Sequence, residues 1–271
     1  MKTLLRRFLP AVLLLAVACL YTYKFEAEET HTYPAAGVTA LSAATQDGGV
    51  SVTAAADTLF TVNVRKYAYG KDKADAEQSI TNVVYTGAVV GTELQVKADM
   101  PSGPRPYGAA FTITAPETAA VSIQTTNGAI TVSNAVGDVA AVTTNGAITL
   151  TGTDGTAVLA TTNGALEVDV HRGGVDGKTT NGAVDCDLAA LGPVEDVILQ
   201  TTNGTVTLLL PADVSAIVDA TNTGAAIAIL GFTSVVYDVQ EEHHVRARIG
   251  SGASSVTITT TNGSITVRAR S

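Results

Sequence analysis

Tryptophan is absent from this sequence, aromatic residues are only 5 % of it, and cysteine occurs twice in 271 residues. A core with so few large rings suits thin layers filled by Val, Ile, Leu and Ala. Bases are scarce as well: sixteen Lys and Arg stand against twenty-five Asp and Glu, a net charge of −9. An acidic surface argues against nucleic acid and against anionic lipid headgroups as partners. The apolar run Phe8–Leu20 is thirteen residues long, short of the ~20 that a membrane-spanning helix needs. No Ser-His-Asp or Cys-His arrangement has support from spacing, and no phosphate-binding glycine loop is present.

What the chain does have is a repeat. Thr-Thr-Asn-Gly and an apolar follow-up read TTNGAITV at 125–132, TTNGAITL at 143–150, TTNGALEV at 161–168 and TTNGAVDC at 179–186. Further copies, TTNGTVTL and TTNGSITV, stand at 201–208 and 260–267. The period is 18 with a finer step of nine, since Gly128, Gly137, Gly146, Gly155, Gly164, Gly173 and Gly182 are evenly spaced. Apolar residues sit two and four places after each TTNG glycine, as in Ile130 and Val132 or Ile148 and Leu150. A second column lies seven and five places before it: Val121 and Ile123, Val139 and Ala141, Ala157 and Leu159, Val197 and Leu199, Val256 and Ile258. Period-two alternation in such short segments is a strand signal. Each 18-residue coil therefore carries two short strands with one face inward.

One coil cannot enclose a core, but stacked coils can, each inward Ile or Val meeting its counterpart at about 4.8 Å. The pattern predicts an all-β, single-stranded β-solenoid (a β-helix), and general precedent favours the right hand. Asn-Gly tolerates positive φ and is expected to turn the corner. Asn127, Asn145, Asn163, Asn181 and Asn203 are expected to form a ladder of amides along the stack, with the threonines laddering by their hydroxyls. A hexapeptide left-handed helix fails, because six-residue steps from Ile130 reach Asp154. A calcium β-roll fails too, because its Gly-Gly-x-Gly-x-Asp signature is missing.

From the start of the chain, residues 1–19 read as an export signal: Lys2, Arg6 and Arg7, the apolar run, then small residues. Leu15-Ala16-Val17-Ala18-Cys19 resembles a lipobox, with Ala16 where leucine is preferred, and Ala16-Val17-Ala18 also fits an ordinary cleavage site. Acylation of Cys19, plain secretion and an uncleaved anchor all stay open. Loss of residues 1–18 leaves thirteen bases against twenty-five acids, a charge near −12. Cys186 stands in an inward column and reads as a small core residue, so no disulfide is expected. Residues 20–37 read as a tether without apolar periodicity, 38–120 as N-terminal β coils or a cap, and 121–268 as the TTNG solenoid. Strands are expected at Val38–Ala43, Gly49–Ala54, Leu59–Tyr69, Glu93–Ala98 and Ala110–Thr114. Lys71–Gln78 is expected as a loop or single helical turn, and Tyr237–Arg248 as a charged excursion replacing one corner. From Gly224 to Gly263 the spacing allows about two coils.

Several of these residues together carry a likeness. The leader with its lipobox-like end is followed by Gly-Gly-Val-Ser-Val and then by Phe-Thr-Ile-Thr-Ala-Pro before the array. The chain closes on Arg-Ile-Gly-Ser-Gly and Thr-Ile-Thr-Thr-Thr-Asn-Gly-Ser-Ile-Thr-Val. The whole resembles the bacterial putative-adhesin domain family, cell-envelope proteins of unknown function, over about residues 38–268. The resemblance implies a β-helical, surface-exposed, non-enzymatic protein, and it brings no catalytic residues with it.

The sharpest local feature is acidic. Three and five places past two TTNG glycines stand Glu167 and Asp169, then Asp185 and Asp187. In-register stacking gathers them into a two-by-two carboxylate patch that attracts a cation such as calcium or simply stays solvated. The first function expected is an exported, envelope-anchored structural or binding module. Its threonine-rich faces suit envelope carbohydrate or a surface protein, with the membrane reached through an N-terminal lipid or anchor and no cofactor. A calcium-stabilised surface module is the second. A polysaccharide-active enzyme is the third, disfavoured because coils this small leave no groove and only His171 and Arg172 lie near the patch. Glu241, Glu242, His243 and His244 read as a charged loop, since adjacent histidines on a strand point to opposite faces.

Overall fold

A computed structural model describes residues 20–270. The export signal and Cys19 lie outside the described residues. Within them the chain is a β-solenoid whose coils build two sheets, of eleven and twelve strands. The repeat acts through register. Ile130 pairs with Ile148, Ile148 with Leu166 and Leu166 with Val184, all in parallel. On the other sheet Val121, Val139, Ala157, Val175 and Val197 form the matching column. Side chains in these columns are 3 % exposed or less, so the two inner faces meet in one continuous core. Burial of each such side chain contributes about 1.5–3 kcal/mol relative to exposure.

Spatial order departs from chain order at both ends. Ala40–Ala44 lies between Glu93–Asp99 and Ala120–Gln124, and Val50–Ala55 lies between Tyr107–Pro116 and Ile130–Ser133. The first coil is thus enclosed by later ones. At the other end the last coil is an insertion. Ser254–Thr260 pairs with Asp196–Thr201 on one side and Ala216–Thr221 on the other. Ile265–Ala269 sits likewise between Val206–Leu210 and Ile227–Leu230. The spacing from Gly224 to Gly263 suggests two coils added in sequence; instead the chain skips one rung at 210–216 and fills it last. Parallel neighbours with the same alternation are interchangeable locally, so only the tertiary pairing decides which goes where.

The ends are closed by antiparallel strands. Residues 20–37, expected as a tether, contain the twelve-residue strand Tyr23–Pro34, paired with Leu59–Gly70 in register throughout. Beyond Phe25 its inward positions are polar or amphipathic, which hides it from a search for apolar alternation: Glu29, His31 and Tyr33 are the half-buried ones, and His31 stacks on Tyr85 at 4.4 Å between ring centres. The Tyr33 and Tyr85 hydroxyls hydrogen-bond at 2.9 Å and tie the edge of one sheet to the edge of the other. Lys73–Ser79, expected as a loop or single turn, is a seven-residue helix whose N-cap Asp72 accepts from the Asp75 N–H. Tyr237–Arg248 is not an excursion but most of a hairpin, Val235–Gln240 with His244–Ile249, laid antiparallel on Ala216–Thr221. Among the described residues no helix is long and apolar enough to cross a membrane.

Candidate functional site

Each Thr-Thr-Asn-Gly is one corner of one rung, and its four residues do four different things. The first threonine is buried. Its hydroxyl donates to the glycine carbonyl one rung earlier, at 2.9–3.0 Å from Thr125, Thr143, Thr161, Thr179, Thr201 and Thr260. The hydroxyls therefore do not ladder with one another as the sequence suggests. The second threonine is exposed, and its carbonyl accepts the asparagine N–H of the following rung, at 2.8 Å from Asn145 to Thr126 and from Asn163 to Thr144.

The asparagines stand in a row. Asn145 Nδ2 donates to Asn127 Oδ1 at 2.7 Å, and Asn163, Asn181 and Asn203 each donate to the preceding amide at 2.8 Å. Two members lie beyond the five that the sequence marks. Asn262, from the inserted coil, donates to Asn203 Oδ1 at 2.7 Å. Asp47 closes the other end, accepting from Asn127 Nδ2 at 2.5 Å. A signal for Asp47 is present in the chain: Thr45-Gln46-Asp47-Gly48 has Val50 and Val52 two and four places beyond its glycine, like every other corner. All the amides point their hydrogens toward Asp47, so its carboxylate meets the positive end of the aligned dipoles.

The glycine is explained by contact, not by torsion. None of the TTNG glycines or asparagines has positive φ; the expected left-handed corner is absent. A Cβ on Gly146, Gly164, Gly182 or Gly204 would instead overlap the carbonyl oxygen of the glycine one rung earlier. That oxygen is the acceptor of the buried threonine, so backbone crowding and hydroxyl capture occur at one atom.

The flank so built is long, rigid and polar. Gln46, Thr126, Thr144, Thr162, Thr180, Thr202 and Thr261 are exposed beside the amide row. An amide has two N–H donors and two acceptor lone pairs, and the ladder consumes one of each. Every Thr-Asn rung therefore offers a spare donor, a spare acceptor and a hydroxyl, repeating at about 4.8 Å. Asp47 apart, the corner residues that build the flank among the described residues carry no titratable side chain.

The acidic residues are placed differently. Glu167 does pair with Asp185 in register, but the register breaks after Val168, where Val170 has φ 54°. Asp169 and Asp187 are consequently not a registered pair, and Asp187 lies 2.9 Å from Arg270 Nε. Among the described residues no three His, Cys, Asp or Glu side chains come together as a metal site requires. The two-by-two patch expected for calcium thus supplies one facing pair and a salt bridge. His243 and His244 also diverge: His243 Nδ1 contacts Asn222 Oδ1 at 3.1 Å, and His244 Nε2 contacts Asp219 Oδ1 at 3.0 Å. Cys186 is buried and free, and burial pushes its thiol well above the ordinary range.

The same break turns His171 inward. The residue expected beside the acids is 1 % exposed, with Nδ1 2.8 Å from Thr153 Oγ1 and a buried Nε2 lacking a partner. Burial lowers its pKa, against opposing hydrogen bonds and the Asp154 and Glu195 charges. A lowered pKa means that the unfolded chain binds the proton first. This contribution to stability is then complete above about pH 6.5, the unfolded value, and is lost as pH falls through the lower folded value. Thermal melts between pH 7.5 and 5 should fall more steeply for the wild type than for His171→Asn. Parallel slopes would show that His171 does not titrate on unfolding.

A family model described as Toastrack DUF4097 matches residues 32–268. No curated protein matches the chain. Among crystal structures, the chain is similar to a putative cell adhesion protein from Clostridium sporogenes, at 13 % identity and TM-score 0.38, over 91 % of this chain and 100 % of that one. It is similar to putative adhesins from Bacteroides fragilis (12 % identity, TM-score 0.38, 90 % and 97 % covered) and Parabacteroides distasonis (9 %, 0.37, 89 % and 97 %).

Proposed function

Because this chain belongs to the Toastrack DUF4097 family, we propose that it is an exported, envelope-anchored, adhesin-like solenoid that works as a non-enzymatic binding module. Its contact surface is the TTNG flank, and its ligand is a polyhydroxylated chain such as envelope carbohydrate. The observation that carries this reading is the row of spare amide and hydroxyl groups at one fixed spacing, backed by a ladder that holds every amide in place. A surface whose donors and acceptors are ordered before contact loses little side-chain entropy on binding. A repeating ligand can engage several rungs at once, so weak contacts add. The flank carries hydroxyls and amides rather than acid–base groups, which supports binding over turnover.

The test separates anchoring from binding. Replacing Cys19 by Ala should move the protein from the membrane fraction to the soluble exported fraction. Replacing Thr144, Thr162 and Thr180 together by Ala should weaken co-sedimentation with isolated cell-wall polysaccharide at least about tenfold. The melting temperature should shift little, since exposed substitutions of this kind stay within ~0.5 kcal/mol each. Undiminished co-sedimentation of the triple variant would remove the flank as the contact surface.

A further inference from the structure

We propose that the chain pairs with a second copy of itself through Val84–Val90, the outermost strand of the twelve-stranded sheet, in an antiparallel two-fold junction centred on Gly87. The inference is independent of what the flank binds. Val84–Val90 pairs on one side with Glu93–Asp99, and among the described residues no strand follows it on the other. Among the described residues one row of its backbone N–H and C=O groups is left without a strand partner, which is a template for another strand unless something blunts it.

The four sheet ends differ in this respect. Tyr23–Pro34, at the same end of the other sheet, carries Lys24, Glu26, Glu28 and Glu29 and finishes in proline. Val235–Gln240 carries Asp238, and its pairing is irregular between Tyr237 and Val239. Ile227–Leu230 is only four residues long. Val84–Val90 is seven residues, Val-Tyr-Thr-Gly-Ala-Val-Val, with unbroken register to its neighbour and neither charge nor proline. Val84, Val89 and Val90 are 52, 44 and 56 % exposed.

The strand's own sequence identifies the occupant. A two-fold axis normal to the sheet puts residues of equal parity opposite each other, so the axis passes midway between the two copies of one residue. With Gly87 on the axis, Val84 faces Val90, Thr86 faces Ala88 and Tyr85 faces Val89, each pair formed twice. On the outer row valine meets valine, and the small Thr86 meets the small Ala88. On the core row Tyr85, held in its own chain by His31 and Tyr33, comes opposite Val89 of the other copy, a residue whose strand neighbour Leu94 is fully buried while Val89 itself is not. No like charges come opposite, which matters for two copies of a chain of net charge −9.

Sedimentation equilibrium of the full chain should return a dimer, and Thr86→Lys, at an exposed outward position, a monomer with unchanged melting temperature. The register has its own test. The double variant Val84→Cys/Val90→Cys should form a reducible covalent dimer on oxidation, and neither single variant should, although all three keep the native cysteines. A dimer in Thr86→Lys, or single variants that cross-link as well as the double, would overturn the proposal. So would a wild-type chain that is monomeric at every concentration, which would leave this edge to a strand from another protein.

Discussion

Cutting the chain after Gly252 is expected to abolish cooperative folding of the C-terminal third rather than to shorten the solenoid by one rung. In a solenoid whose spatial order follows chain order, loss of a terminal coil removes a single interface and exposes the coil beneath. Here the terminal coil is an interior rung. Ser254–Thr260 and Ile265–Ala269 each have a strand on both sides, so their removal opens a gap of about two strand spacings, near 10 Å, across both sheets. Val256, Ile258, Ile265 and Val267, each 0 % exposed, are lost from the core. At about 1.5–3 kcal/mol for each of the four, that is roughly 6–12 kcal/mol, comparable with the whole stability of an ordinary domain. Ile227–Leu230 loses its strand partner with it, and Ala216–Thr221 keeps only the antiparallel hairpin on its outer side. Hydrogen exchange on the truncated chain should show residues 211–252 unprotected, and a circular dichroism melt should lose amplitude or cooperativity. A truncated chain that melts cooperatively within a few degrees of the full one would mean that the last coil does not hold its neighbours together.

This behaviour is not legible in the sequence, for a physical reason. The TTNG period specifies where each strand starts, which residues turn inward and how far apart equivalents lie; it suffices to assign Ile130, Ile148 and Leu166 to one column. The period does not specify which rung sits on which. Val256 and Ile258 present the same alternation to Val197 and Leu199 as to Val218 and Ala220, so chain order is the default expectation, and it fails at both ends. Local breaks are hidden for a related reason. Asp169 keeps the spacing of the repeat, and only the left-handed backbone of Val170, a conformation that β-branched residues rarely adopt, throws the register and buries His171. The strand Tyr23–Pro34 escapes pattern reading because its inward face after Phe25 is Glu29, His31 and Tyr33, which breaks the alternation of hydrophobics. The flank itself is half legible. Five asparagines are visible as a ladder, while its ends, Asp47 and Asn262, depend on the coils from positions 45–48 and 260–263 stacking on the array.

The corner glycines give the second large effect. Gly164→Ala is expected to destabilise the protein by about 3–5 kcal/mol, in the range reserved for substitutions with a specific structural clash. A turn needing positive φ could still accept Asn, and alanine there would be strained by a modest amount. The clash here is of another kind. The new methyl group would overlap the Gly146 carbonyl oxygen and carbon and approach the Ala147 nitrogen. All three are backbone atoms held by the parallel ladder, so no flexible side chain can yield. The Gly146 oxygen also accepts the buried Thr161 hydroxyl at 2.9 Å, and displacing it breaks that bond in the core-facing corner. For a domain of this size the loss corresponds to a fall in melting temperature on the order of 10 °C. Gly224→Ala supplies the control. Gly224 ends the corresponding turn of the outermost coil, its φ is outside the left-handed range, and a Cβ there meets nothing within 4 Å. Replacement there restricts the unfolded chain without a clash and is expected to be neutral or to stabilise by up to about 1 kcal/mol. Paired melts of the two variants discriminate between the explanations. Opposite signs support backbone crowding as the reason for glycine in the repeat. Equal losses would point to glycine's conformational freedom instead, and no loss at Gly164 would show that the rungs can separate enough to admit a methyl group.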